Sequence, residues 1–470
     1  MQLLQTKRTE TKGIVKLEMF LLEAVHFGVS ILLFYFAFLE FRYSGNIKWR
    51  TMDIANRYNY YVLIGYGVIL LFFNRVYNAY LFGYSRIRSL IFAQFISQLF
   101  TVTIVYFVIS FAWNNFLSAW PLVILVGVQL VFDFLWSWFG TFVFFKLHPP
   151  RRTILFYRDE LDRKRFGNLK GKPTARLYKI QKEVRFDGAF REIKDQLGEY
   201  EAVFVAGLNS RCRNGILKYC KENGVPGFFL PHIGDMIMQE ARHIQAFDSP
   251  VLYVNRKENS PEYIMVKRLF DILFSVVGIV VLSPVMLVIA LAVRLYDRGP
   301  AIYKQVRLTK GGREFKLYKF RSMRVDAEKD GVARLSTGEK DDRITPVGRF
   351  IRKCRLDELP QLFNILKGDM SIVGPRPERP EIAEQYYEKM PDFRLRLQVK
   401  AGLTGYAQVY GKYNTDPYEK LEFDLMYINQ MSILTDLKLM FATFAILFSG
   451  ESTMGVEAGA VTAMDDDEEK

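Results

Sequence analysis

The sequence predicts three folded parts in series. A membrane α-helical bundle of four spans occupies residues 1–149, and a small α/β Rossmann-like domain follows over 150–258. An α-rich domain over 259–450 carries a re-entrant membrane helix at about 264–297, and 451–470 reads as a disordered acidic tail. Three observations lead there. Residues 89–132 hold no Asp, Glu, Lys or Arg over 44 positions. From Thr153 short apolar runs alternate with helical stretches. A second charge-free run of 22 residues, 272–293, has positive charge on both flanks and Ser283-Pro284 at its middle.

Composition bounds the chemistry. The 470 residues carry 64 Lys+Arg against 50 Asp+Glu, a formal charge of +14, with half of all residues apolar. That excludes general disorder. Three cysteines make no disulfide framework, and four scattered histidines give no metal signature. The basic balance fits an anionic membrane surface, a phosphate-rich substrate or a nucleic acid.

Each element has its own warrant. A bilayer core needs about 20 apolar residues per helix, so 89–132 reads as two spans with a break at Trp113-Asn114-Asn115, the second running on to about Phe145. Segments near 18–41 and 58–82 supply two more, interrupted by Glu23, His26 and Arg75. Glu23, His26 and Asp133 are expected to serve interhelical hydrogen bonding rather than a transport path. Lys7, Arg8, Lys12, Lys16, Arg86, Arg88, Lys146, Arg151 and Arg152 flank the spans on one side and predict both bundle ends in the cytoplasm; Arg42, Lys48, Arg50 and Arg57 oppose this without reversing it.

Strand-like runs at 153–157, 202–206, 227–230 and 251–254, with helical stretches near 188–198 and 210–223, predict a small parallel sheet with crossovers. The glycine loop of a dinucleotide site is missing: Arg158-Asp-Glu-Leu-Asp-Arg-Lys164 follows the first strand. A structural or dimerising module is favoured over a nucleotide sensor.

Lys267 and Arg268 precede the run 272–293, and Arg294, Arg298, Lys304 and Arg307 follow it. Both ends are therefore expected on one side of the membrane. Proline removes an i→i−4 bond and kinks a helix, and Ser283 is placed to supply a partner for the freed backbone. A plain fifth span with a kink is the alternative. Asp271 is expected to pair with Lys267 or Arg268.

The densest chemistry lies in Arg352 to Pro377. Pro360 belongs in a helix's first turn, which places a helix start near Asp357. Asp357 and Glu358 then sit where free N–H groups attract phosphate and where the dipole favours an ionised carboxylate. Carboxylates that meet a phosphate anion need a divalent cation and arginines, for which Arg352, Arg321 and Arg376 are candidates. A solvated helix start, and a merely rigid turn at Pro375-Arg-Pro377, are the plainer readings of the same residues.

Eight stretches in order carry a resemblance: Lys267-Arg-Leu-Phe-Asp271, Ser283-Pro284, Tyr318-Lys-Phe-Arg-Ser-Met323, Asp342-Arg-Ile-Thr345, Leu356-Asp-Glu-Leu-Pro360, Gly368-Asp-Met-Ser371, Val373-Gly-Pro-Arg-Pro377 and Gly402-Leu-Thr-Gly405. Residues 264–449 resemble the bacterial sugar transferases, the monotopic polyprenyl-phosphate phosphoglycosyl transferases. The leading helices and α/β module are similar in layout to the long form, the undecaprenyl-phosphate glucose and galactose phosphotransferases. The resemblance implies a sugar 1-phosphate transfer from a UDP-sugar to undecaprenyl phosphate with release of UMP, in polysaccharide assembly at the bacterial cytoplasmic membrane. It implies Asp357 as nucleophile and Mg²⁺ ligand, and Glu358 as the group that positions or deprotonates the second nucleophile. Arg352, Arg376, Pro375, Pro377, Lys319 and Arg321 would bind substrate, and Ser283-Pro284 would turn the helix back. A glucose or galactose donor and a homodimer are likewise expected by resemblance.

Three rivals are weighed against it. A non-catalytic scaffold of polysaccharide assembly is opposed by the intact Asp357-Glu358 pair. A nucleic-acid binder is opposed by basic residues spread without a reading motif. An inverting glycosyltransferase would release UDP instead of UMP. Residues 432–449 read either as a helix lying on the membrane or as a core helix, and Arg324 through Asp342 as a lid or a solvated loop.

Overall fold

The computed structural model describes residues 2–44, 52–116, 118–167, 173–246, 248–255, 259–325, 327, 341, 343–411 and 416–447. The acidic tail and most of the segment between Arg324 and Asp342 lie outside them. The chain divides into two compact units, Met1–Leu230 and Pro231–Lys470.

In the first unit four long helices, α1 (Gln2–Ser44), α2 (Met52–Val76), α3 (Ile87–Ala112) and α4 (Trp120–Leu147), are each apolar enough over 18 or more residues to cross a membrane. α2 stops at Val76, short of the 82 expected, because a series of turns follows with Asn78 in the left-handed region. Apolar packing of Phe34, Phe38, Tyr66 and Leu70 with Val102, Val105 and Leu125 joins the four helices. Several buried polar groups bond across them, as expected for His26 and Asp133. His26 Nε2 lies 3.0 Å from Asp133 Oδ1, and Gln98 Nε2 donates to the same oxygen at 3.1 Å.

A parallel four-stranded sheet follows, ordered β2-β1-β3-β4, with β1 (Arg151–Tyr157), β2 (Tyr178–Arg185), β3 (Ala202–Ala206) and β4 (Gly227–Phe229). The all-apolar β3 lies at its centre and is buried throughout. Helices α5 (Glu160–Gly167), α6 (Phe190–Ile193) and α7 (Ser210–Asn223) connect the strands. α7 starts where Asn209 Oδ1 accepts from Cys212 N–H and stops at Gly224 in the left-handed conformation. At the end of β3, Asp162 packs against Gly207, so an acid stands where a glycine loop would receive phosphate. The polar strand β2 was not anticipated, because its burial alternates only at its start and its outward face is charged.

The second unit opens with α8 (Ile233–Met238) and an antiparallel hairpin, β5 (Arg242–Ala246) with β6 (Ser249–Tyr253). The run at 251–254 therefore pairs with β5 rather than joining the parallel sheet. α9 (Pro261–Asp297) is continuous through Pro284. The carbonyl that proline deprives of its donor is that of Val280, and Ser283 Oγ donates to it at 2.8 Å. The expected Asp271 pair is replaced. Asp271 Oδ1 instead accepts from Ser371 Oγ and the Ile372 N–H, both at 3.0 Å, while Lys267 bonds Asp436 at 2.7 Å.

Beyond α9 come the hairpin of β7 (Ile302–Leu308) and β8 (Glu314–Phe320), then α10 (Pro346–Lys353), α11 (Gln361–Lys367) and β9 (Ser371–Val373). α12 (Pro380–Lys389), β10 (Gly402–Thr404), α13 (Tyr406–Tyr410), α14 (Pro417–Asn429) and α15 (Ile433–Leu447) complete the unit. β9 and β10 pair in parallel. A core of Ile365, Met370, Ile372, Tyr386, Phe393, Leu421 and Leu425 holds these elements together. α15 joins that core through the buried Leu439, as a core helix does, while Leu434 on the same helix is exposed.

Candidate active site

The carboxylates occupy a short 3-10 turn, Leu356–Glu358, and α11 begins only at Gln361 with Pro360 as its cap. This corrects the expected helix start at Asp357. Proline still precedes the helix, yet the pair sits one turn ahead of it. Arg355 enters that turn with φ near +52°, a left-handed conformation that costs a non-glycine residue energy and marks an over-determined backbone.

Two other elements close around the turn, and Arg355 at its own entry adds a third cation. β8 brings Lys319, whose Nζ lies 3.4 Å from Glu358 Oε1. The segment after β9 brings Arg376, which donates to the same oxygen at 2.8 Å. Arg355 stands 3.9 Å from Glu358 Oε2. Burial opposes ionisation of Glu358, but the attraction of Arg376, Lys319 and Arg355 outweighs it and holds the carboxyl well below the usual range. Asp357, equally buried, behaves oppositely. Burial raises its pKa, Lys319 opposes, and the neighbouring Glu358 charge raises it further. The expected low pKa from a helix dipole is therefore not what the surroundings give. Among the described residues Asp357 has no hydrogen-bond or ion-pair partner. One carboxylate gathers the cations; the other is left open.

The Pro375-Arg-Pro377 turn is fastened through its backbone. Its three carbonyls in succession accept from Gly402 N–H at 2.8 Å, Arg396 at 2.7 Å and Arg307 at 3.0 Å. Arg396 is 4% exposed and itself bonded to Asp424 at 2.8 Å, so the turn leans on a buried ion pair. Gly402 is required there, since a Cβ on it would fall on the Gly374 backbone. Asn364, fully buried in α11, accepts from Tyr318 N–H at 2.9 Å and donates to the Lys316 carbonyl at 2.8 Å, which fixes β8 and hence Lys319 beside the carboxylates.

Of the residues singled out from sequence, Asp357, Glu358, Lys319 and Arg376 converge. Arg352, in the last turn of α10, acts on Asp357 by its field, lowering its pKa. Pro375 and Pro377 shape the Arg376 turn. Arg321 is engaged elsewhere: it is buried, paired with Asp297 at the end of α9. Sequence reasoning missed Arg355, Arg396, Arg307 and Asn364. Arg355 abuts the acidic pair and was legible there; the others act through tertiary contacts that no spacing encodes.

Two adjacent buried carboxylates, one of them without a partner among the described residues and set in a basic site, suit a cation that keeps most of its own water and takes one or two carboxylates plus substrate phosphates, as Mg²⁺ does. Among the described residues no group of three or more His, Cys, Asp or Glu forms a closed metal cage.

Comparison with known proteins agrees on residues 262–450, which match the bacterial sugar transferase family. The UDP-N-acetylgalactosamine-undecaprenyl-phosphate N-acetylgalactosaminephosphotransferase of Aeromonas hydrophila is 42% identical over 194 residues, 41% of this chain and 45% of that protein. The UDP-glucose:undecaprenyl-phosphate glucose-1-phosphate transferase of Klebsiella pneumoniae is 43% identical over 205 residues, 43% of this chain and 42% of that one. A protein of the same designation from Caulobacter vibrioides is 37% identical over 191 residues, 40% of this chain and 71% of its own length. The match thus spans less than half of the first two relatives. With the matched segment containing every residue of the acidic turn and its cationic surround, the chain belongs to the bacterial sugar transferase family.

Proposed function

We propose that the protein transfers a sugar 1-phosphate from a UDP-sugar to undecaprenyl phosphate, releasing UMP and starting the assembly of a membrane-linked polysaccharide precursor. One observation carries the mechanism: the open Asp357 carboxylate beside a Glu358 that holds Arg376, Lys319 and Arg355 in place. A carboxylate oxygen of Asp357 attacks the β-phosphorus of the donor. The bond from that phosphorus to the bridging oxygen breaks, UMP departs with the electron pair, and the sugar phosphate stays on Asp357. An oxygen of undecaprenyl phosphate then attacks the same phosphorus and frees the carboxylate. Two displacements in place of one give ping-pong kinetics.

Glu358, ionised well below its usual range, takes up a proton poorly, so its part is to position the cations rather than to act as a base. Arg376, Lys319 and Arg352 would hold phosphate oxygens. Asp357 would hold Mg²⁺, which when bound supplies neutralisation of the diphosphate charge.

The membrane arrangement belongs to the same proposal. α1–α4 would be four spans, the parallel sheet a Rossmann-like module serving a homodimer, and the second unit would face the cytoplasm of the bacterial inner membrane. A re-entrant α9 is supported by contacts at both its ends with one compact unit. Arg268 near its start bonds the Ile365 and Leu366 carbonyls, and Ile289 and Val293 near its end pack on Phe320 and Ile351. A straight span would carry those ends about 30 Å apart across the bilayer core.

The test is a detergent- or nanodisc-held preparation supplied with Mg²⁺, undecaprenyl phosphate and a panel of UDP-glucose, UDP-galactose and their N-acetyl analogues. UMP release with one donor, abolished in Asp357→Asn, is the expected result. UDP release would replace the proposal by sugar transfer, and no product from any donor would point to the scaffold.

A further inference from the structure

A second basic site lies away from the carboxylates. At the entry of α9 a cleft of about 670 Å³ is lined by Lys267, Arg268, Lys310, Lys400, Tyr263 and Tyr427, among others. α11 separates it from the reaction centre. The acidic turn precedes the amino end of that helix, whereas Arg268 bonds the carbonyls at its carboxyl end, at 2.6 and 2.7 Å. Seven residues of helix put about 10 Å between the two.

The charge in this cleft is partly spoken for. Lys267 is neutralised by Asp436 at 2.7 Å, and Asp271 is held by Ser371 Oγ and the Ile372 N–H. Lys310 and Lys400 differ: among the described residues neither has an ion-pair partner. Partial burial and then the fields of Arg268, Arg313 and Lys310 push the Lys400 ammonium below its ordinary range, with Asp271 opposing. Like charges held around an open cleft are relieved by an anion. The location says which kind. Tyr263, Lys267 and Arg268 stand directly before the 22-residue apolar run of α9, where lipid headgroups would lie on the proposed entry of that helix into the membrane.

We infer that this cleft binds the phosphate of an anionic phospholipid headgroup, as a site separate from the Asp357 centre. Neither the donor nor the reaction proposed above enters the inference, so its failure would leave that reading untouched.

Native mass spectrometry of the full chain, given phosphatidylglycerol and phosphatidylcholine in equal amount, tests it. Wild type and Asp357→Asn retain phosphatidylglycerol preferentially. In Lys310→Gln/Lys400→Gln the preference falls roughly tenfold, and Lys310→Gln/Lys400→Arg recovers part of it, since charge near a lipid surface is what is removed and restored. Both lysines are exposed, and an unchanged unfolding temperature of the variants without lipid verifies their fold. Inorganic phosphate separates the two sources of the same chemistry: failure to displace the bound lipid supports the headgroup. Displacement by inorganic phosphate, equal retention of both lipids, or a preference surviving in the double glutamine variant would overturn the inference.

Discussion

Asp357 and Glu358 are neighbours in sequence and opposites in electrostatics. The cations hold Glu358 ionised, whereas for Asp357 burial and the adjacent negative charge outweigh the pull of Lys319, Arg352 and Arg376 and favour its protonated form. On the proposed mechanism Asp357 must be ionised to attack, so the expected activity falls as acid protonates it, with the acid limb of kcat/KM above the ordinary aspartate range. Lys319 lowers the Asp357 pKa; Lys319→Gln removes that pull and moves the limb to higher pH. A pH–rate profile of the two proteins checks the sign, and an unmoved or lowered limb would show that Asp357 is not the titrating group. The pair was legible in the sequence as an acidic dipeptide before a proline. Which of its members would be left unpaired was not, because Arg376 and Lys319 reach Glu358 from two other parts of the chain.

The elements that carry the site are short, and side chains fasten them more than ladders do. Asn364 joins α11 to β8 by replacing two strand-like hydrogen bonds with its own amide. Asn364→Ala leaves the Tyr318 N–H and the Lys316 carbonyl unpaired at a buried contact, at a cost of about 2–4 kcal/mol. The expected readout is a lower thermal midpoint in detergent together with reduced phosphate handling through a displaced Lys319. An unchanged midpoint would mean that the two elements hold without it. Long apolar elements were readable, since the uncharged stretch after Arg88 is α3 and α4, and so was the helical stretch at 210–223, which is α7. The strand β2 was hidden by its charged outer face, and the start of α11 was misplaced by one turn. Pro360 is compatible with a cap as well as with a first turn, and only the left-handed Arg355 before it tightens the chain into a 3-10 turn.

At the scale of the molecule, the run 272–293 was legible as membrane-seeking and Ser283-Pro284 as a break, yet the contacts that grip both ends of α9 were invisible in sequence. They pair Arg268 with residues about 100 positions away. The side on which these ends lie is open to measurement. With Cys212, Cys220 and Cys354 replaced by serine, Ser260→Cys and Arg298→Cys are expected to react with an impermeant maleimide from the same side of inverted membrane vesicles. Reaction from opposite sides would make α9 a fifth span. The feature has a mechanical side as well. A helix whose middle is exposed and apolar, and whose two ends return to one unit, takes up area in a single leaflet on the re-entrant reading. It then acts as a wedge, expanding that leaflet relative to its partner, and the residues from 259 onward should partition more strongly onto small, highly curved vesicles than onto large flat ones.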